Sequence, residues 1–341
     1  MLVDTMLGSD LTTVGAQAAG IEAAGYAGGF TVETNHDPFF PLVLAAQQTR
    51  RIDLGTAIAV AFARSPMTLA NVGWDLQTLT RGRFILGLGS QIKPHITKRF
   101  SMPWGHPAPR MRELILAVRA IWASWLDGTP LRFRGEFYTH SLMTPFFAPD
   151  PDDLAEVGPP RIFLAGVGEH MTEVAGEVAD GFICHAFSTE RYLRDVTVPA
   201  LARGRAKVGQ DLDGFEIVAP GFVVTGQDDA HAVAVATAIR QQIAFYGSTP
   251  AYRAVLDHHG WGDAQDELNT LSKAGRWDDM SGLVTDEMLS TFAVVAPPDQ
   301  LGAAVRARYG DVATRLTFTP PSGDPDPERW RDVVHDLGLT G

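Results

Sequence analysis

The stretch that most constrains the fold is Arg81–Gln91, Arg-Gly-Arg-Phe-Ile-Leu-Gly-Leu-Gly-Ser-Gln. Gly82 supplies a turn, Phe84, Ile85, Leu86 and Leu88 form a short apolar run, and glycines lead into two polar residues. An apolar run of this length bounded by turn signals fits a strand buried on both faces, as in a parallel sheet. Gly87 and Gly89 weaken a strand unless another group approaches its backbone closely. Parallel strands carry their chemistry at the carboxyl end, which puts Ser90 and Gln91 at the mouth of a pocket. The same residues fit a core strand with an ordinary exit turn. Recurrence of the pattern along the chain favours the pocket.

Strands are expected at Leu2–Leu7, Gly29–Glu33, Ile52–Phe62, Arg81–Gln91, Arg161–Ala165, Gly181–His185, Phe215–Thr225 and Thr314–Thr319. Pro220 and Gly221 lie inside the seventh, so it is expected to bend or bulge. Helices fall between them. Asp10 is a candidate cap for the first, with Ala16, Ala19, Ile21 and Ala24 on its buried face and Gly25 as its stop. A second runs from Phe39 to Arg50, and Ser65-Pro66 opens a third with proline at the first helical position. Arg112–Leu126 is amphipathic, with Leu114, Ile115, Val118, Ile121, Trp122 and Trp125 at helical spacing. Further helices are expected at Glu169–Ala179, Glu190–Lys207, Ala230–Phe245 and Pro298–Tyr309. Eight strands alternating with helices predict an α/β fold of the (β/α)8 TIM-barrel type, formed by residues 1–341 as a single domain. Insertions are expected at about 91–109, 127–160 and 247–290, after strand four, the next helix and the helix after strand seven. A doubly wound open sheet is the alternative, but Gly8-Ser9-Asp10 after strand one lacks a dinucleotide fingerprint.

The net charge of −12 argues against a nucleic-acid or anionic-membrane surface. One cysteine, Cys184, allows neither an internal disulfide nor a cysteine metal cluster. No apolar run approaches the ~18–20 residues of a membrane span, and the first residues lack the form of a signal peptide. The expectation is a soluble, cytoplasmic protein.

Three places carry candidate chemistry. His36 lies just past strand two between Asn35 and Asp37, where a histidine can exchange protons or hold a planar ligand. It can equally satisfy a loop carbonyl. Leu164-Ala-Gly-Val-Gly-Glu-His170 is a strand-turn-helix whose amides at Gly166 and Gly168 would make an anion site, or only a tight turn. Gly55-Thr56-Ala57-Ile58-Ala59-Val60-Ala61 has small residues against which a flat molecule, or a packed helix, could lie. There is no His-Glu-x-x-His, no Gly-x-Ser-x-Gly and no P-loop, and no resident metal is expected. Glu33 and Asp4 can reach strand ends, but nothing pairs them as glycosidase carboxylates.

Together these stretches resemble the luciferase-like superfamily, in its branch that uses coenzyme F420, a deazaflavin. The marks are Asn35-His36-Asp37, Gly55-Thr56-Ala57-Ile58, Ser65-Pro66, Gly82-Arg83-Phe84 with Leu86-Gly87-Leu88-Gly89, Leu164-Ala165-Gly166, and Ala179-Asp180-Gly181-Phe182-Ile183. The resemblance implies hydride transfer between the deazaflavin and a small organic substrate, with His36 near the reacting carbon. Phe40 stands where the branch usually has tryptophan. A strand-three bulge, often a non-proline cis peptide against the ring, would fall at Ala57–Ile58. Gly166, Val167 and Gly168 would supply phosphate-binding amides, with His185 near the same phosphate, and Ser90 would border the cofactor. Dehydrogenases of the branch carry a glutamate after strand four; here Ser90-Gln91-Ile92 offers no acid, and Gln91 can hydrogen-bond but not protonate. FMN presents a similar ring and phosphate, so an FMN-dependent monooxygenase and a non-catalytic flavin-binding relative remain alternatives. Trp104, Tyr246, Tyr252 and Trp261 in the insertions are candidates for a lid. A homodimer is the family expectation.

Overall fold

A computed structural model describes residues 1–321 and 327–338. Eight parallel strands carry the fold: β1 (Leu2–Met6), β2 (Gly28–Thr31), β3 (Asp53–Thr56), β4 (Phe84–Gly89), β5 (Arg161–Gly166), β6 (Gly181–Cys184), β7 (Glu216–Ala219) and β8 (Arg315–Thr317). Each pairs with its sequence neighbour, and Leu2 of β1 lies beside Arg315 of β8. β3 meets β4 at Leu54↔Phe84 and Gly55↔Ile85. No edge is left open, so the sheet is a closed (β/α)8 barrel and the open-sheet alternative falls.

Alternation along the strands sorts side chains into layers inside the barrel. Phe30, Ile85, Phe163 and Val218 fill the middle, with Met6, Ala57 and Ile183 packed against them. Beneath them Arg315 and Arg161 lie among Asp4, Asp53 and Glu216. Gly55 and Gly87 are explained here rather than by a ligand. A Cβ at Gly55 would stand 2.7 Å from the Ile85 carbonyl and from the Phe30 ring, and one at Gly87 would stand 1.7 Å from the Thr56 carbonyl.

The helices cover the outside. The amphipathic stretch forms Pro107–Asp127, and all six of its expected core residues are buried. Ser65 caps Pro66–Thr80 by accepting from the Thr68 amide, as its sequence suggests. Several expectations need correction. Asp10 does not cap the first helix: its carboxylate accepts from the amide and hydroxyl of Thr12, and Val14–Ala23 begins one turn later without a side-chain cap. That helix buries Val14 and Ala18, while Ala16 is exposed. Strand three does not run unbroken to Phe62. It breaks at Ala57–Ile58, resumes at Ala59–Val60 against β4, and turns at Ala61–Ala63. Glu190–Lys207 is interrupted by a wide turn at Leu193–Thr197. A closing helix, Pro327–Gly338, was not expected; its Trp330, Val333, Val334 and Leu337 are buried at helical spacing.

The seventh stretch also divides. β7 ends at Ala219, and Val223–Val224 leaves the barrel to pair in parallel with Val294–Val295. Between these two short strands lie Asp229–Gly247 and four further helices, including Arg253–Asp257 and Gly262–Lys273. They pack around a second apolar cluster, which holds Phe222, Leu256, Leu268, Met288 and Phe292 together with Phe187 from the chain after β6. Among the described residues no helix is long and apolar enough to cross a membrane.

Candidate active site

A cavity of about 1200 Å³ opens at the carboxyl end of the strands. Ile58, Gly89, Ser90, Gln91, Ala165 to Gly168 and His185 form its inner part, and Trp104 and Tyr252 stand at its border. Its outer wall runs along the start of Pro107–Asp127 and the length of Glu169–Val178, where Glu177 pairs with Arg112 and both Glu173 and Glu177 pair with Lys207.

The break in β3 shapes the floor. The Ala57–Ile58 peptide is cis. The Ala57 amide donates to the Thr31 carbonyl at 2.7 Å, and the Ile58 carbonyl accepts from the Glu33 amide at 3.2 Å. Ile58 then projects over Gly89, where a Cβ would come within 2.8 Å of it. Gly89 is therefore small because Ile58 occupies the space beside it. Ile58 lines the cavity; Ala57 belongs to the barrel interior.

Ser90 and Gln91 do reach the mouth. The Ser90 hydroxyl donates to the Gln91 carbonyl at 3.1 Å. Gln91 has φ +58°, a left-handed conformation that side chains other than Gly, Asn and Asp seldom take. Its Oε1 accepts from the Ile92 amide at 3.0 Å, which leaves the carboxamide nitrogen as its donor toward the cavity.

The turn after β5 behaves differently at its two glycines. A Cβ at Gly166 would press on Met171 at 2.9 Å, so packing accounts for that residue. Gly168 has φ −87° and ψ 151°, angles open to any residue, and no atom within 4 Å of an added Cβ. The chain's own packing does not require glycine there, whereas a ligand approaching the amides that open Glu169–Val178 would. Those first-turn amides have no side-chain cap.

His185 is largely buried, and burial pushes its imidazole down to about 4. It is neutral at ordinary pH. Its Nδ1 accepts from the Phe187 amide at 3.0 Å, and its Nε2 lies 3.3 Å from the Tyr252 hydroxyl. Tyr246 packs edge-on against the ring with centroids 4.8 Å apart. Trp261 is not part of the cavity wall but stacks on His259 in the helical insertion.

His36 and Phe40 lie outside the cavity lining. His36 is exposed on the loop after β2, and Phe40 is 64% exposed at the start of Phe39–Gln48. The loop is nonetheless held. Glu33 accepts from the Val60 amide at 2.7 Å and from Arg64 at 2.6 Å, and Arg64 reaches on to Asp37 at 2.8 Å. Arg99 from the insertion donates to the Thr34 carbonyl. Sequence reasoning missed this Glu33–Arg64–Asp37 relay and the contact between His185 and Tyr252. Both join residues 27 or more positions apart.

The profile of the luciferase-like monooxygenase family matches residues 3–315. The chain belongs to this family. An uncharacterized protein of Mycobacterium tuberculosis is 56% identical over 314 residues, covering 92% of each chain. The 5,10-methylenetetrahydromethanopterin reductase of Archaeoglobus fulgidus is 26% identical, covering 88% of this chain and 86% of its own. Among solved structures, the coenzyme F420 dependent tetrahydromethanopterin reductase of Methanopyrus kandleri superposes with a TM-score of 0.76 at 20% identity, covering 99% and 96% of the two chains. The luciferase-like barrel expected from the motifs is thus the observed fold.

Proposed function

We propose that this chain is an oxidoreductase that transfers a hydride between coenzyme F420 and a small organic substrate. The observation that carries the reading is Gly168: an open, unstrained glycine beside uncapped helix amides, at the edge of a cavity large enough for a tricyclic ring. The likeness to a coenzyme F420 dependent reductase supports the deazaflavin, and the likeness to a monooxygenase bound to FMN keeps FMN as the second reading. Bound there, the deazaflavin would supply the carbon that carries the hydride.

The protein's share is orientation and exclusion of water. The Gly166–Gly168 turn would hold the phosphate, Ile58 would back the ring, and Ser90 would border it. The resemblance would put His36, on its braced loop outside the cavity lining, beside the reacting carbon with Phe40 next to it. Gln91 offers a donor but no proton, which sets this site apart from those with an acid after strand four. Tight cofactor binding without turnover across a broad substrate panel would favour a non-catalytic role instead. The partner is a small molecule, and the working assembly a homodimer.

Titration with F420 and, separately, FMN tests the reading through quenching of the seven tryptophans. Micromolar or tighter F420 binding with weak FMN binding is expected. Stoichiometric FMN in the purified protein would overturn it in favour of a monooxygenase. His36→Ala is expected to lower turnover far more than cofactor affinity; equal rates would remove His36 from the mechanism.

A further inference from the structure

The direction of two hydrogen bonds fixes a third. The Phe187 N–H donates to His185 Nδ1 at 3.0 Å, so that nitrogen must carry a lone pair. A neutral imidazole with a bare Nδ1 bears its proton on Nε2. Nε2–H therefore donates to the Tyr252 oxygen at 3.3 Å, and the phenol cannot spend its own hydrogen on the histidine. Among the described residues the Tyr252 hydroxyl makes no other hydrogen bond, and the residue lines the cavity. Aromatic rings hold it in place: His185 lies 4.7 Å away between centroids, Phe187 5.9 Å and Tyr246 6.1 Å. Burial and then the neighbouring Tyr246 raise the phenol above its ordinary value, which keeps it protonated.

We propose that Tyr252 is a substrate-binding donor whose O–H, released from His185 by the bond it accepts, holds an uncharged acceptor oxygen such as that of a carbonyl. The inference rests on the cavity being a hydride-transfer site, puts the substrate rather than the cofactor's phosphate beside the His185–Tyr252 pair, and names the chemistry of the substrate's polar end. It also answers the lack of an acid after β4. An oxygen held by this phenol gains hydrogen-bond strength as charge builds on it, without a carboxylic acid in reach. Ile58, Ala165 and Met171 give the inner cavity apolar surface beside Ser90 and Gln91, and the phenol adds a further point of specificity there.

Two measurements on the full chain test this. Long-range proton–nitrogen correlation spectra of histidine-labelled protein read the His185 tautomer. Nε2–H is expected; an Nδ1–H ring overturns the proposal, because Tyr252 would then be the donor within the pair. F420-saturated protein is next titrated with cyclohexanone and with methylenecyclohexane, which match in shape and differ in the acceptor oxygen. Tyr252→Phe is expected to weaken ketone binding about 3- to 10-fold and to leave the hydrocarbon unchanged. An equal loss for both probes, no loss for either, or failure of the ketone to bind overturns it. The same titrations without cofactor separate the two readings. A Tyr252-dependent preference for the ketone in a protein that will not take up F420 refutes the cofactor alone.

Discussion

Replacing Arg315 with methionine puts the charged layer of the barrel to the test. The guanidinium is fully buried, at 0% exposure, and contacts Asp4 at 2.7 and 2.8 Å, Asp53 at 2.9 Å and Glu216 at 2.8 Å. Arg161 also reaches Asp53 and Glu216 but makes no bond to Asp4, which is 1% exposed and relies on Arg315. Arg315→Met therefore strands a buried carboxylate, a change that costs about 3–5 kcal/mol. Burial already raises the Asp4 carboxyl, with Arg315 opposing that rise. In the variant the folded-state value climbs further. The folded chain then holds a proton that the unfolded chain releases, so stability falls as pH rises from the unfolded value through the folded one. The slope across that window is about 1.4 kcal/mol per pH unit. Urea unfolding of variant and parent is the assay. The deficit is expected to be larger at about pH 8 than at about pH 5, and Asp4→Leu added to Arg315→Met is expected to recover most of it. A deficit independent of pH, or a double variant as unstable as the single one, would refute the assignment of the loss to Asp4.

Gly168→Leu is expected to lower F420 affinity at least about tenfold while lowering the unfolding midpoint only slightly, since an added Cβ meets open space but leucine caps a helix less well than glycine. An intact affinity would place the phosphate elsewhere. Cys184 is buried and its thiol is pushed up to about 12, so the native protein is expected to resist a disulfide reagent until it unfolds. Rapid labelling of folded protein would contradict that burial.

The barrel was readable because each strand signals locally, through an apolar run and a glycine or proline at its ends. The Arg81–Gln91 stretch needs no distant contact to be recognised as a fully buried strand. Where distant contacts decide, the sequence misleads. Ile52–Phe62 looks continuous, yet the Thr31 carbonyl and the Glu33 amide seize the backbone at Ala57 and Ile58. Phe215–Thr225 looks like one bent strand because Val294–Val295, its second partner, lies some 70 residues on. The closing helix was missed although Trp330, Val333, Val334 and Leu337 show its period; the prolines before it obscured the pattern.

The site shows the same division. Strand polarity places Ser90 and Gln91 at the mouth, and a strand-turn-helix form marks the Gly166–Gly168 turn; all of them line the cavity. Small residues in strand three pointed to a ligand, but Gly55 answers to Phe30 inside the barrel. Tyr252 was visible only as an aromatic residue in an insertion. Its meaning depends on the direction of a bond to His185, 67 positions away, which no spacing rule encodes.

The short pairing of Val223–Val224 with Val294–Val295 gives the helical insertion a clasp at its neck. The Val294 amide donates to the Phe222 carbonyl at 2.9 Å, and the Ala296 amide to the Val224 carbonyl at 3.1 Å. Entry and exit of the insertion are thus stitched side by side before the chain returns to the barrel through Pro298–Tyr309. Beyond this neck the helices also rest on the chain that follows β6: Phe187 and Tyr192 enter their apolar cluster, and Thr189 and Asp195 bond to His259 and His258. The insertion is thus moored twice, and any redrawing of its helices, or of the Tyr252 they carry over the cavity, has to keep that second seat as well as the neck.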